Sequence, residues 1–208
     1  MPIDAKTWIS IVTQLPLSRV EQEVVRRFQE DPAGRQFLPL SDVLRNHKLI
    51  EESLELLTQG VQDHPSFAVA RVVLVRELFQ RGLVMEAWST LERAPSPLSD
   101  NVLAQKLKFK MAILLGDEHS ARSAMQLLKV QQGVDPETRK IFDRLEVDGL
   151  LQARDEYRQE LLGKGVDLQL PKSISVEKRD PANSLQDAVG QEAIRARGRR
   201  FILEYDLD

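Results

Sequence analysis

The sequence predicts an all-α protein in which helix pairs repeat along the middle of the chain. Small and apolar residues recur there at a spacing of 34, in three series: Gly82 and Gly116; Ser53, Ala87 and Ala121; Leu57, Leu91 and Met125. Each glycine follows an apolar run, where a left-handed residue closes a helix. Prolines stand where one unit gives way to the next and disfavour helix continuation. A period of this length is typical of helix-turn-helix solenoids, and a helical bundle with accidental spacing is the alternative.

Three units, which start at Gly34, Ala68 and Val102, can be aligned on this period. The first unit contains bulky apolar residues, small residues and a proline in a fixed order along the chain: Phe37, Leu40, Ser41, Leu44, Ser53, Leu57 and Pro65. In this order the positions resemble the tetratricopeptide (TPR) repeat family. The resemblance is good in the second helix of each unit and degenerate in the first, where Arg71 and Gln105 replace the bulky opening residue. It implies a TPR-like solenoid over roughly residues 34–136.

The segments on either side of the repeats complete the predicted organisation. It comprises an N-terminal helical cap at 1–33, three TPR-like repeats at 34–135, capping helices at 136–162, and a linker with a C-terminal tail at 163–208. Terminal units of a solenoid need one polar face, and the charge density of 136–162 suits that.

The N-terminal cap is predicted to contain two helices. Residues 3–14 favour a helix, with a strand as the alternative because several of them are β-branched. Trp8 either packs against the first repeat or anchors a partner. The second helix begins after Ser18, which forms a capping box with Glu21, and its expected apolar stripe is Val20, Val24, Val25 and Phe28.

The C-terminal third should begin with a helix capped by Asp135, with Pro136 at its first position. Asp148 and Gly149 are expected to split this region into two helices. From Gly163 the helical period stops, so residues 167–183 are interpreted as an extended linker, followed by a short helix at 184–197.

The last residues combine clustered arginines with an apolar, acidic terminus. We hypothesise that this tail docks on a repeat surface, in its own molecule or in a neighbour, through Arg199, Arg200, Phe201, Leu203, Tyr205 and Leu207. A disordered tail is the alternative.

Composition excludes several classes of function. The net charge of −3 does not favour nucleic acid, and the absence of cysteine excludes disulfides and thiolate metal sites. The start has no signal-peptide pattern and no stretch is long enough to span a membrane, so we expect a cytoplasmic protein. The three histidines lack metal-ligand spacing, and no phosphate-binding loop or nucleophile elbow occurs. We therefore predict no catalytic activity, no metal and no cofactor.

The TPR resemblance also implies which residues bind a partner, because the first helix of each unit lines a concave groove in that family. The implied lining is Arg35, Leu38, Asp42, Arg45, Val72, Arg76, Phe79, Lys106, Lys110 and Ile113. It holds five basic residues and one acidic residue, which suits an acidic, partly apolar peptide. Plain solvated helix faces are the alternative.

The expected function is accordingly that of an adaptor or scaffold that binds a protein or peptide. A self-associating spacer protein, in which the tail or the helices dimerise, is the first alternative. Contact with RNA or a membrane through Arg195, Arg197, Arg199 and Arg200 is the second.

Overall fold

The computed structural model describes residues 5–94 and 98–170, all of them in one compact unit. Within these residues it contains ten α-helices and no strand, which confirms the all-α prediction. The helices are α1 (Ala5–Thr13), α2 (Arg19–Glu30), α3 (Phe37–Asn46), α4 (Ile50–Asp63), α5 (Ala68–Gln80), α6 (Val84–Glu92), α7 (Val102–Leu115), α8 (Glu118–Val130), α9 (Pro136–Val147) and α10 (Gly149–Gly163). The short helix predicted at 184–197 and the six tail-docking residues lie outside the described residues.

From α3 onwards, consecutive helices pack in pairs: α3 with α4, α5 with α6, α7 with α8, and α9 with α10. The first three pairs are joined by only two or three residues, a connection length typical of antiparallel helical hairpins. The pairs also pack on one another in sequence, because α4 contacts α5, and both α5 and α6 contact α7. The two N-terminal helices precede this series, with α2 against α3.

The turn inside each of the first three pairs has the same backbone structure. Lys48, Gly82 and Gly116, which are 34 residues apart, have left-handed φ angles of 67°, 76° and 74°. The amide that follows each of them donates a hydrogen bond to the carbonyl five residues back, from Leu49 to Leu44, from Leu83 to Leu78 and from Asp117 to Ala112, at 2.9, 3.0 and 2.9 Å. This is the Schellman arrangement that closes a helix. The period in the sequence is therefore also a period in backbone geometry.

Small residues at the same register lie buried in the second helix of each of the first three pairs. Ala87 and Ala121 are completely buried, and Ser53, at the equivalent position, is nearly so. The Ser53 hydroxyl donates a 2.8 Å hydrogen bond to the backbone carbonyl of Ser41 in the facing helix. These residues have short side chains, so the two helices of a pair can approach closely.

The opening position of each unit is buried in all three, although its chemistry differs. Phe37 is an apolar core residue, whereas Arg71 and Gln105 are polar yet buried. Arg71 donates to the carbonyl of Pro65 at 3.2 Å, and Gln105 donates to the carbonyl of Leu98 at 3.0 Å. Both polar side chains thus connect the start of a helix to the loop that precedes it, and their own buried donors gain acceptors.

The N-terminal cap agrees with the sequence in its capping box and differs in one apolar position. Ser18 and Glu21 form both hydrogen bonds of the box, and Trp8 is buried. The prediction that Val20 belongs to the buried stripe of α2 is wrong, since Val20 is 76% exposed. At 3.6 residues per turn, Val20 lies about 110° from the mean direction of Val25 and Phe28, which face the core.

The C-terminal helices begin and divide as the sequence predicts. Asp135 caps α9 by accepting a hydrogen bond from the Thr138 amide, and Pro136 is the first helical residue. The chain then breaks at Asp148, and Gly149 begins α10 with a left-handed φ of 81°. Beyond α10, residues 166–170 return to the helices: Val166, Leu168 and Leu170 are partly buried against the core. We call residues 166–170 the strap.

The repeated turn yields a stability prediction, because a lysine occupies a position that the equivalent units fill with glycine. A left-handed conformation costs a residue with a side chain roughly 1–2 kcal/mol. Glycine avoids this cost, but its greater conformational freedom in the unfolded chain offsets part of the gain in stability. Lys48→Gly should therefore raise the free energy of unfolding by about 0.5–1 kcal/mol in equilibrium urea denaturation. Lys48→Ala removes the same charge but keeps the strained φ, so it should show no such gain; equal effects of both variants would contradict the explanation.

Candidate partner-binding surface

The structure places the ten predicted lining residues on or just before α3, α5 and α7, the first helices of the three pairs. Their exposure decreases along the chain. In the first unit Arg35 is exposed, and Leu38, Asp42 and Arg45 are partly exposed. The later units expose less surface, because three of their predicted lining residues are buried: Val72, Phe79 and Ile113. These three residues are core residues in this conformation, so their prediction as partner contacts needs correction.

The last helix pair packs on the first helix of the third unit. Helix α10 packs against α7, and its Ala153, Tyr157 and Leu161 are buried. Phe142 of α9 meets Phe109 of α7 edge to face, with ring centroids 4.5 Å apart. The face of α7 that the TPR resemblance assigns to a partner is thus engaged by the protein's own C-terminal helices.

Ion pairs reinforce this contact. Lys106 lies 2.8 Å from the carboxylate of Asp135 at the start of α9. Lys110 pairs with Glu137, and Lys164 at the end of α10 lies 3.1 Å from Glu137. The two lysines that sequence reasoning offered to an acidic partner are therefore matched by internal carboxylates.

The arginines of the first two units are also paired. Arg45 contacts Asp42 in its own helix and Glu77 of α5, the latter at 2.7 Å. Arg76 lies 2.8 Å from the same Glu77 carboxylate. Glu77 is largely buried and was not among the predicted lining residues, so its charge did not enter the sequence-based estimate. Four of the five basic residues consequently have acidic partners within the protein, and the lining is much less positive than its composition indicates.

The pKa values of the two carboxylates at the start of α9 reflect these contacts. Burial alone raises the pKa of Asp135, but hydrogen bonds from Lys106 and from Thr138 outweigh it and hold the pKa at about 2. The hydrogen bond from Lys110 lowers the pKa of Glu137, against an opposing effect of burial, and Lys164 lowers it further. Both carboxylates therefore stay ionised over the ordinary pH range.

A smaller exposed row remains on the first helices. Arg35, Val69 and Leu103 occupy the second position of their units, at the spacing of 34, and all three are exposed. Val69 is 55% exposed and Leu103 is 39% exposed. The Arg35 guanidinium lies over the ring of Phe67, 4.8 Å from its centroid. We call Arg35, Val69 and Leu103 the position-two row. In the sequence these three residues are related by the spacing of 34 alone.

Other kinds of site have little support in the part of the chain that the structure describes. Within 5–94 and 98–170, no three side chains of the metal-binding types are grouped as ligands. None of the described helices has the length and apolar character needed to cross a membrane.

Comparisons with known proteins found no match: not among protein-family models, not among curated proteins and not among solved structures. The TPR resemblance therefore stays a prediction that rests on the residues and on the repeated geometry.

The carboxylate at the start of α9 gives a pH prediction. Since the pKa of Asp135 is about 2 in the folded protein, against about 3.9 for an ordinary aspartate, its stabilisation is complete above about pH 4 and is lost as the pH falls towards 2. Asp135→Asn keeps a capping oxygen for Thr138 and removes the charge that faces Lys106. The variant should therefore lose less stability than the unmodified protein between about pH 5 and pH 2.5, measured by urea denaturation.

The matched control for this prediction is Asp143→Asn, which removes an exposed carboxylate from the same helix. It should follow the unmodified protein. An acid dependence that is identical in all three proteins would show that Asp135 does not contribute to it.

Proposed function

We propose that this protein is a non-catalytic adaptor, built as a TPR-like helical solenoid, that binds a segment of another protein. The observation that carries the proposal is the repetition at 34 residues of one left-handed turn, at Lys48, Gly82 and Gly116, with the same hydrogen bonds each time. Repeated helix pairs stack into extended surfaces that present equivalent side chains side by side, a design suited to recognition rather than to a reaction centre.

The position-two row, which shares Arg35 with the predicted lining, is the part of the first helices that is best suited to contact a partner. It is exposed in all three units, whereas deeper positions are buried or ion-paired. It combines two aliphatic side chains with one guanidinium. A partner segment with apolar residues and a single carboxylate would complement it, and the strongly acidic peptide expected from the sequence fits it less well.

A capture experiment with matched variants tests this proposal. The full chain is immobilised and exposed to extract from the source organism, and bound proteins are cross-linked and identified by mass spectrometry. Val69→Asp places a charge in the row, whereas Val130→Asp places the same charge at the end of α8, where the valine is 82% exposed. We expect Val69→Asp to reduce capture of a specific protein by about tenfold or more, equivalent to roughly 1.4 kcal/mol.

The control variant Val130→Asp should retain capture, and the melting temperatures of both variants should match that of the unmodified chain because both sites are exposed. Equal capture by all three proteins would overturn the assignment of the row. Light scattering after size exclusion distinguishes the alternative spacer role: a dimer that Val69→Asp converts to a monomer would identify the row as a self-association surface.

A further inference from the structure

The strap, residues 166–170, has the side-chain pattern of an extended segment seated on a surface. Val166, Leu168 and Leu170 are partly buried against the helical core, whereas the intervening Asp167 and Gln169 are exposed. Alternation of buried and exposed side chains is the geometry of an extended chain with one face against a protein. The strap therefore contacts the helices through aliphatic groups at every second residue.

Gly82, in the turn between α5 and α6, lies beneath this segment. The Gln169 amide donates a 2.8 Å hydrogen bond to the Gly82 carbonyl. A Cβ atom on Gly82 would lie 1.9 Å from the Asp167 carbonyl oxygen and 3.1 Å from the Leu168 Cα. The backbone of the strap thus occupies the space that a side chain at residue 82 would fill.

Comparison with the equivalent positions shows that the conformation of the turn is not the only reason for a glycine at residue 82. Lys48 makes the same turn with φ 67°, so the conformation alone does not require glycine. Gly116 has φ 74°, and the nearest group to its Cβ position is the Arg154 Nη1 at 3.6 Å, an ordinary contact. Among the three turns, the close approach of another backbone segment is specific to Gly82.

The strap is also joined to α10 in a way that allows it to leave. Gly165 has a left-handed φ of 79°, and no heavy atom lies within 4 Å of a Cβ placed on Gly163 or Gly165. The Val166 amide donates a 3.1 Å hydrogen bond to the Leu161 carbonyl and closes α10, so the rest of the strap can leave by rotation beyond Val166 while this turn stays intact. Few buried apolar groups hold the strap, which is typical of segments that open locally.

We propose that the surface beneath the strap is a docking site for an extended aliphatic segment of a partner protein, and that the strap is its tethered competitor. The site binds apolar side chains at alternate positions of the segment, and the Gly82 carbonyl accepts a hydrogen bond from its backbone, as in other modes of extended-peptide recognition. Tethering gives the strap an effective concentration in the millimolar range, so it fills the site until a stronger segment displaces it. This inference rests on the proposed binding function and names the chemistry of the bound segment.

The experiment uses the full chain and a fluorescent peptide with the sequence of residues 164–171, KGVDLQLP. Leu168→Asp combined with Leu170→Asp, the release variant, removes two of the three aliphatic contacts of the strap and leaves Gly82 unchanged. In fluorescence anisotropy the peptide should bind the release variant about tenfold or more tightly than the unmodified chain, because the tethered competitor is gone. A peptide that carries the same two aspartates should not bind.

Two glycine variants of the release variant locate the binding site. Gly82→Ala should abolish binding, because its methyl group occupies the backbone path of the peptide. Gly116→Ala imposes the same left-handed strain on alanine without this obstruction, so it should preserve binding. Equal peptide affinity for the unmodified chain and the release variant, or equal loss with both glycine variants, would overturn the proposal.

Two further measurements keep the proposal falsifiable. If the release variant fails to fold by circular dichroism, hydrogen exchange on the unmodified chain replaces it: excess unlabelled peptide should accelerate exchange of the Gln169 amide, and an unchanged rate would overturn the proposal. A chain that is a dimer and becomes a monomer in the release variant would show that a second copy supplies the segment, which also overturns it. The Val69→Asp test is independent of the strap, so either proposal can fail alone.

Discussion

The left-handed residue that closes the first helix in each of the first three pairs is the constraint on which the architecture depends. At Lys48, Gly82 and Gly116 it lets two backbone amides reach back to the end of the helix and satisfy carbonyls that would otherwise lack donors. It also reverses the chain within three residues, so the second helix returns along the first. The small residues of the second helix can then fall at a fixed distance from the turn, as Ala87 and Ala121 do, and allow close packing. Repetition of this turn gives successive units the same register, and the exposed row at the second position follows from it.

The fourth helix pair ends this repetition and determines how much surface is left. Helix α10 packs directly against α7, and the start of α9 supplies carboxylates to the lysines of α7. The face of α7 that carries Lys106 and Lys110 is thereby partly covered. An isolated lysine on such a face would attract an acidic ligand, but a lysine that already contacts Glu137 must exchange one carboxylate for another and gains little. The aliphatic members of the position-two row are therefore better candidates for affinity than the basic residues below them.

Features that depend on residues close in sequence could be predicted from the sequence. The capping box of Ser18, the N-cap at Asp135 and the break before Gly149 each involve groups within a few residues of one another, and each is present. The period of 34 is also present in the structure, because it marks the repetition of one local turn. The failures involve distant residues. The pairing of Lys106 depends on Asp135, and the pairing of Arg45 depends on Glu77, 32 residues away. Periodicity shows which face a residue occupies, but not what covers that face.

The contact between Gly82 and the strap combines a local and a distant requirement in one residue. The turn needs a left-handed conformation, which the lysine at the first turn can also adopt. The strap needs a backbone carbonyl as acceptor and space that a Cβ would fill, and only glycine leaves that space open. The hydrogen bond from Leu83 to Leu78 closes the helix without any atom of the strap. Departure of the strap therefore leaves the turn intact and exposes a preformed acceptor beside aliphatic surface. A turn that reverses the chain can in this way also hold an extended segment where its left-handed residue is glycine.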